Sequence, residues 1–266
     1  VSPAAIDAPD PDRFFSSAAI IAGMQKAFCK AGYKVGGFRA YTTSNVLKGS
    51  GVSSSAAFEV MIGNILNHLY NDGRVSNVEI AKMAQFAENV YFGKPCGLMD
   101  QTACAVGGFI TIDFADPTSP VIEKMDFDLT AAGYSLCIVN TGGNHADLNE
   151  DYASVPAEMK AVARALGVSV LRETTEEAVL ANIVRLREEV GDRAILRALH
   201  FFGENRRVAA QVEALRAGDI EAFKAGVTAS GNSSFKYLQN VYTNKNIAEQ
   251  GLSLALCLAE RVLSGK

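Results

Sequence analysis

The sequence predicts an α+β fold in two parts, and three observations carry that reading. First, residues 38–47 are rich in aromatic and β-branched types and read as a strand. That strand runs into a glycine- and serine-rich loop and then into a long amphipathic helix. Second, residues 109–114 alternate weakly, the Asp116–Pro120 stretch is a turn, and residues 121–127 follow as a hairpin partner. Third, from Leu148 onward helical spacing and turns dominate. A boundary between about 128 and 150 divides residues 1–130 from 131–266.

The elements follow in order. Pro9, Pro11 and Asp12 end an irregular leader. Residues 14–31 then read as a helix with Ala18, Ile21, Met24 and Phe28 near one face, broken by Gly32 and by Gly36 and Gly37. The helix after the loop spans residues 54–70, with Phe58, Met61, Ile62, Ile65, Leu66 and Leu69 at helical spacing. Asn71, Asp72 and Gly73 stop it. Ser76 and Glu79 form a capping box that opens a helix running to about Tyr91, with Ile80, Met83, Ala84, Ala87 and Val90 inward. Residues 134–140 read as an inner strand. Residues 157–166, 176–190, 192–215, 220–230 and 248–263 read as helices.

Composition narrows the function. The 266 residues are 48% hydrophobic, enough for one large core or two smaller ones. Net charge is −4, from 25 basic and 29 acidic residues, and the only basic run is the pair Arg206 and Arg207. Nucleic acid is therefore not an expected partner. No apolar run reaches the length of a membrane span. The N-terminus lacks the pattern of a signal peptide and an initiator methionine. Cys29, Cys96, Cys104, Cys137 and Cys257 are odd in number and fit reduced, cytoplasmic thiols. Cys96 and Cys104 read as packed small residues, and the scattered His68, His145 and His200 do not suggest a zinc site. Nothing in the chain sets an oligomeric state.

The chemistry concentrates in two short stretches. Gly49, Ser50, Gly51, Val52, Ser53, Ser54 and Ser55 directly precede the 54–70 helix. Converging N–H groups and the positive end of a helix dipole would cradle an anion there. A linker or a plain helix start is the alternative, but a linker needs no strand and helix to support it. No Gly-Lys-Ser/Thr ends the loop, so it is not the Walker pattern. Further on, Cys96, Gly97, Leu98, Met99, Asp100 and Gln101 form a compact turn. Asp100 either orients or accepts a substrate hydroxyl proton, or caps a helix. Gln101 reads as its neighbour in the turn. Glu88 is either a solvated helix position or, with the Ser55 hydroxyl, a magnesium ligand beside the loop. The loop of Asn140, Asn144, His145 and Asp147 either faces substrate or crosses between domains.

The serine loop, the run from Gly93 through Cys96 to Gln101, and Ala84 to Asn89 between them closely resemble the galactokinases of the galactose/homoserine/mevalonate/phosphomevalonate (GHMP) kinase superfamily. The likeness extends over nearly the whole chain, including Ser230 to Lys236. It implies a two-lobed fold, with a ribosomal-protein-S5-like first lobe and a helix-rich α+β companion. It further implies ATP-dependent phosphorylation of galactose, or a related small sugar, at the anomeric hydroxyl. The loop from Gly49 to Ser55 would hold ATP, Ser55 and Glu88 would hold Mg²⁺, and Asp100 would be the catalytic carboxylate. The family's early Gly-Glu-His-Thr-Asp-Tyr signature and its late glycine-rich motif are absent, and Leu47 stands where proline is usual. The resemblance therefore implies a chain truncated at both ends and inactive by itself. A kinase for another sugar and a non-catalytic sensor are the alternatives.

Overall fold

The computed structural model describes residues 6–46, 51–141 and 148–263. The chain divides into two compact units, Val1–Ile112 with Val121–Lys124, and Asp113–Pro120 with Met125–Lys266.

In the first unit, α1 is Ser17–Lys30, α2 is Ser54–Tyr70 and α3 is Asn77–Phe86. The chain then widens into a π-helical segment, Ala87–Phe92, before α4, Met99–Val106. β1, Phe109–Asp113, pairs with β2, Val121–Met125, in the two-stranded sheet of the described residues. The starts of α1 and α3 follow from capping chemistry. Ser16 accepts from the Ala19 amide at 3.2 Å. Ser76 and Glu79 make the reciprocal box, at 3.3 and 3.1 Å. Ile20, Met24, Phe28, Ile62, Leu66 and Ile80 fill the core. Two glycines allow the helices to close on it. A Cβ on Gly63 would lie 2.6 Å from Ile80, and one on Gly23 would lie 2.8 Å from the Ala87 backbone.

Several expectations are corrected here. Residues 38–46 form no strand and are mostly exposed, and residues 134–140 are likewise irregular, with Leu136 82% exposed. β-type residues describe a fit to a pleated, half-buried surface, and no described strand supplies that surface. The inward face of α1 carries Ile20 rather than Ala18, and Leu69 and Val90 face outward. Cys104 is exposed rather than packed, as are Cys29, Cys137 and Cys257.

The second unit is helical. It contains α5 (Asn149–Ala165), α6 (Glu176–Ala181), α7 (Ile183–Val190), α8 (Asp192–Arg216), α9 (Ile220–Ser233) and α10 (Gly251–Leu263). Val162, Leu171, Val179, Leu186, Ile195 and Ala198 form its core. Pro156 lies inside α5 rather than before it, at the cost of one backbone hydrogen bond. The expected 176–190 helix is two helices. At Asn182 the side-chain amide donates to the Ala178 carbonyl at 2.9 Å, and the backbone leaves helical geometry. No described helix is long and apolar enough to cross a membrane.

Gly23 tests how closely α1 must approach the π-helical segment. Gly23→Ala gains up to about 1 kcal/mol of helix propensity but overpacks the contact by about 1–3 kcal/mol. The expected outcome is a lower urea midpoint for the first unit, followed by tyrosine emission. An unchanged midpoint would show that the helices can simply move apart.

Candidate functional site

The site lies within the first unit, where the start of α2, the π-helical segment and α4 meet. Ser53 precedes α2 in a left-handed conformation, with φ of 59° and ψ of 51°, and makes no side-chain cap to the helix. Its hydroxyl instead donates to Asp100 Oδ2 at 2.5 Å. That choice leaves the first turn of α2 without a side-chain cap, so its amides keep their capacity for an anion. Asp100 sits in the first turn of α4 and is exposed. The helix-capping alternative for Asp100 is set aside, because Leu98 occupies the N-cap of α4.

Ser55, one helical residue further on, donates to Glu88 Oε1 at 3.0 Å. Glu88 lies in the π-helical segment and is only 2% exposed. The solvated-position reading of Glu88 is therefore corrected: its carboxylate is buried against α2. Lys94 Nζ donates to the same Oε1 at 3.2 Å, while Gln101 Nε2 donates to Oε2 at 2.7 Å. Gly93, at φ +80°, turns the chain back so that the Lys94 amide reaches the Glu88 carbonyl at 3.1 Å. A side chain on Gly93 would also strike the Phe14 ring.

Behind Glu88 lies a second buried acid, Glu59 on α2, which sequence reasoning missed. It has no exposed surface. Gln101 Nε2 also donates to Glu59 Oε2 at 3.2 Å, so one amide bridges two carboxylates. Glu59 Oε1 and Gln101 Oε1 are buried with no hydrogen-bond partner. Burial, and then the charge of Glu88, push the Glu59 carboxyl up to about 8. Glu59 is thus the neutral member of the pair at neutral pH. The signal was present in the sequence. Ser55, Glu59, Ile62 and Leu66 follow helical spacing, which puts an acid on the apolar face of α2. Lys94 was also passed over, and Gln101 is a bridge rather than a mere turn neighbour.

Cys96 closes the cluster. Gln101 Nε2 lies 3.4 Å from its sulfur, and burial followed by Glu88 pushes the thiol up to about 12, which excludes a ready thiolate. The Asn89 side chain holds the turn by accepting from the Cys96 amide at 2.6 Å. Thus Ser53 and Asp100 come together, and so do Ser55 and Glu88. Gly51 and Val52 lie just ahead of α2. Gly49, Ser50 and Leu47 lie outside the described residues, as do Asn144, His145 and Asp147.

The raised carboxyl has a consequence for stability. An acid titrating higher in the folded than in the unfolded chain contributes its full stability below the ordinary value of 4.5. That contribution declines as pH rises toward about 8, because the unfolded chain is ionised throughout that window. Glu59→Gln removes the titration and keeps the shape. The urea midpoint of the wild-type chain is expected to fall between mildly acidic and mildly alkaline pH more than that of the variant. Parallel pH profiles would mean that Glu59 is not a buried neutral acid.

A structure built on a serine-rich helix start, a buried glutamate and an aspartate in a glycine turn has counterparts among known proteins. The GHMP kinases N terminal domain family matches residues 16–108. A galactokinase of Streptomyces coelicolor is 34% identical over 232 residues, 86% of this chain and 58% of that protein. One of Actinobacillus pleuropneumoniae is 37% identical over 180 residues, 67% of this chain and 45% of that protein. The chain thus spans about half the length of these curated relatives. The crystal structure of Lactococcus lactis galactokinase complexed with galactose superposes with a TM-score of 0.67 at 24% identity. That match covers 89% of this chain and 60% of that one, and it establishes the shared fold. Residues 16–108 thus match the GHMP kinases N terminal domain, and the curated proteins similar to this chain are galactokinases.

Proposed function

We propose that this chain supplies the phosphate-binding and acceptor-side groups of an ATP-dependent sugar kinase that phosphorylates galactose at its anomeric hydroxyl. The observation that carries the reading is the position of Ser53. Its hydroxyl serves Asp100 at 2.5 Å instead of capping α2. An anion-ready helix start and a held carboxylate therefore stand side by side, as a phosphoryl donor and a hydroxyl acceptor require. The activity belongs to a protein of the relatives' full length, with lobes at residues 1–130 and 131–266.

Within that site, the loop of Gly49, Ser50, Gly51, Val52, Ser53, Ser54 and Ser55 binds the ATP phosphates through its backbone amides. Asp100 orients the sugar hydroxyl and takes its proton as the bond to phosphorus forms. Ser53 keeps the Asp100 carboxylate turned toward the loop. Mg²⁺ fits the donor set, because Ser55 Oγ and Glu88 Oε1 are hard oxygens 3.0 Å apart. That ion takes few protein ligands when phosphates complete its shell. When bound, it neutralises charge on the transferring phosphate. Glu88 is the ligand with the charge, and Ser55 adds a hydroxyl oxygen.

Two experiments test the assignment in a galactokinase-length protein that contains this chain. Asp100→Asn is expected to lower galactose-dependent turnover by about 10²- to 10⁴-fold, with nucleotide affinity nearly unchanged. Near-normal turnover would remove Asp100 from the chemistry, and transfer only to another sugar would correct the substrate. Ser55→Ala and Glu88→Gln should each raise the Mg²⁺ concentration needed for half-maximal rate. Magnesium titrations unchanged from the wild type in both variants would reject the metal pair.

A further inference from the structure

We propose that Lys94 is the resident counter-ion of the Glu88 carboxylate, holding the place of the divalent cation and leaving it when the ion binds. The inference rests on the metal reading of Ser55 and Glu88 and concerns how that site is kept before loading.

Among the described residues, three N–H and O–H donors meet the Glu88 carboxylate, and the Cys96 thiol also hydrogen-bonds to it. Gln101 Nε2 takes Oε2 at 2.7 Å, and the Ser55 hydroxyl and Lys94 ammonium share Oε1 at 3.0 and 3.2 Å. Only one of the three carries a charge. A carboxylate with 2% exposure needs compensation, and among the described residues Lys94 is the cation in contact with it. Glu59 behind it and Asp100 in the first turn of α4 are carboxyls, so neither supplies a compensating cation.

The two groups on Oε1 differ in what they can do when an ion arrives. A hydroxyl can rotate its proton away and offer a lone pair. An ammonium has donors only, so it cannot join the ion's ligand shell, and its charge repels a cation bound about 2 Å from the oxygen they would share. The incoming ion therefore displaces Lys94. Its side chain is 56% exposed, which gives it a path into solvent, whereas its backbone stays tied to the Glu88 carbonyl at 3.1 Å. The exchange moves a side chain without moving the loop. It also opposes binding of the bare ion.

Binding of Mn²⁺, used as a spectroscopic substitute for Mg²⁺, tests this on the 266-residue chain by electron paramagnetic resonance, without nucleotide and without turnover. Lys94→Met should bind Mn²⁺ about two- to fivefold more tightly than wild type, the range expected for loss of one partly exposed competing charge. Unchanged or weaker binding overturns the counter-ion role. Glu88→Gln separates this failure from failure of the site itself. If Glu88→Gln abolishes binding while Lys94→Met leaves it unaltered, the metal reading stands and the Lys94 proposal falls. If binding is absent, or does not depend on Glu88, both fall. A second measurement uses only the wild-type chain. Acetic anhydride should modify Lys94 faster in saturating Mg²⁺ than without it, as read by peptide mass spectrometry, because the amine is released. Slower or equal labelling in Mg²⁺ contradicts the exchange.

Discussion

A carboxylate removed from water costs several kcal/mol unless other groups replace its hydration, and the first unit is arranged around that demand at Glu88. The groups that answer it come from α2, from the turn after the π-helical segment and from α4. Because each reaches a defined oxygen, satisfying the charge also sets the spacing of the three elements. Gln101 extends the arrangement to Glu59, so the interior holds two carboxyls of which burial keeps one neutral. The cost of burying an acid is thereby turned into positional order where the phosphate loop meets the aspartate turn.

The second unit meets the reverse problem, a buried cation. Arg197 is 2% exposed and lies 3.0 Å from Glu158, with further hydrogen bonds to Ser154 Oγ and the Leu238 carbonyl. These contacts join α8 to α5 and to the π-helical turn Ser234–Leu238 that follows α9. Nearby, burial holds the His200 imidazole below its ordinary value, and Ser233 accompanies its Nδ1 at 2.9 Å. Both units thus place polar anchors beside π-helical turns.

Helices with a capping box or a long apolar stripe were legible in the sequence. The 54–70 helix and the Ser76–Glu79 box emerged as read, because capping and apolar spacing act locally. The strands expected over the described residues 38–46 and over 134–140 did not, since pairing depends on a distant partner that composition cannot supply. The site was legible in its named residues: Ser55 and Glu88 meet, and Asp100 stands beside the loop through Ser53. What escaped was environment. Glu88 lies at helical spacing from the buried Ala81 and Ala84, but spacing could not show the donors from α2 and α4 that make burial of its charge tolerable. Glu59 escaped for a related reason, its carboxyl being acceptable inside only because Gln101 comes to it from another helix.

The π-helical segment has one more consequence, for length rather than composition. Such a turn amounts to one extra residue accommodated within a helix. Across it, Tyr91 is turned into the core at 3% exposure while Val90 looks out at 38%. Winding residues 87–92 as a regular α-helix without removing a residue would rotate everything after it by about 100°. The turn of Gly93, Lys94 and Cys96 would then leave α2, although every residue named in the site was still present. Residue count and widened turn are therefore matched: one extra residue and one wider turn together keep Glu88 and the segment after it in register.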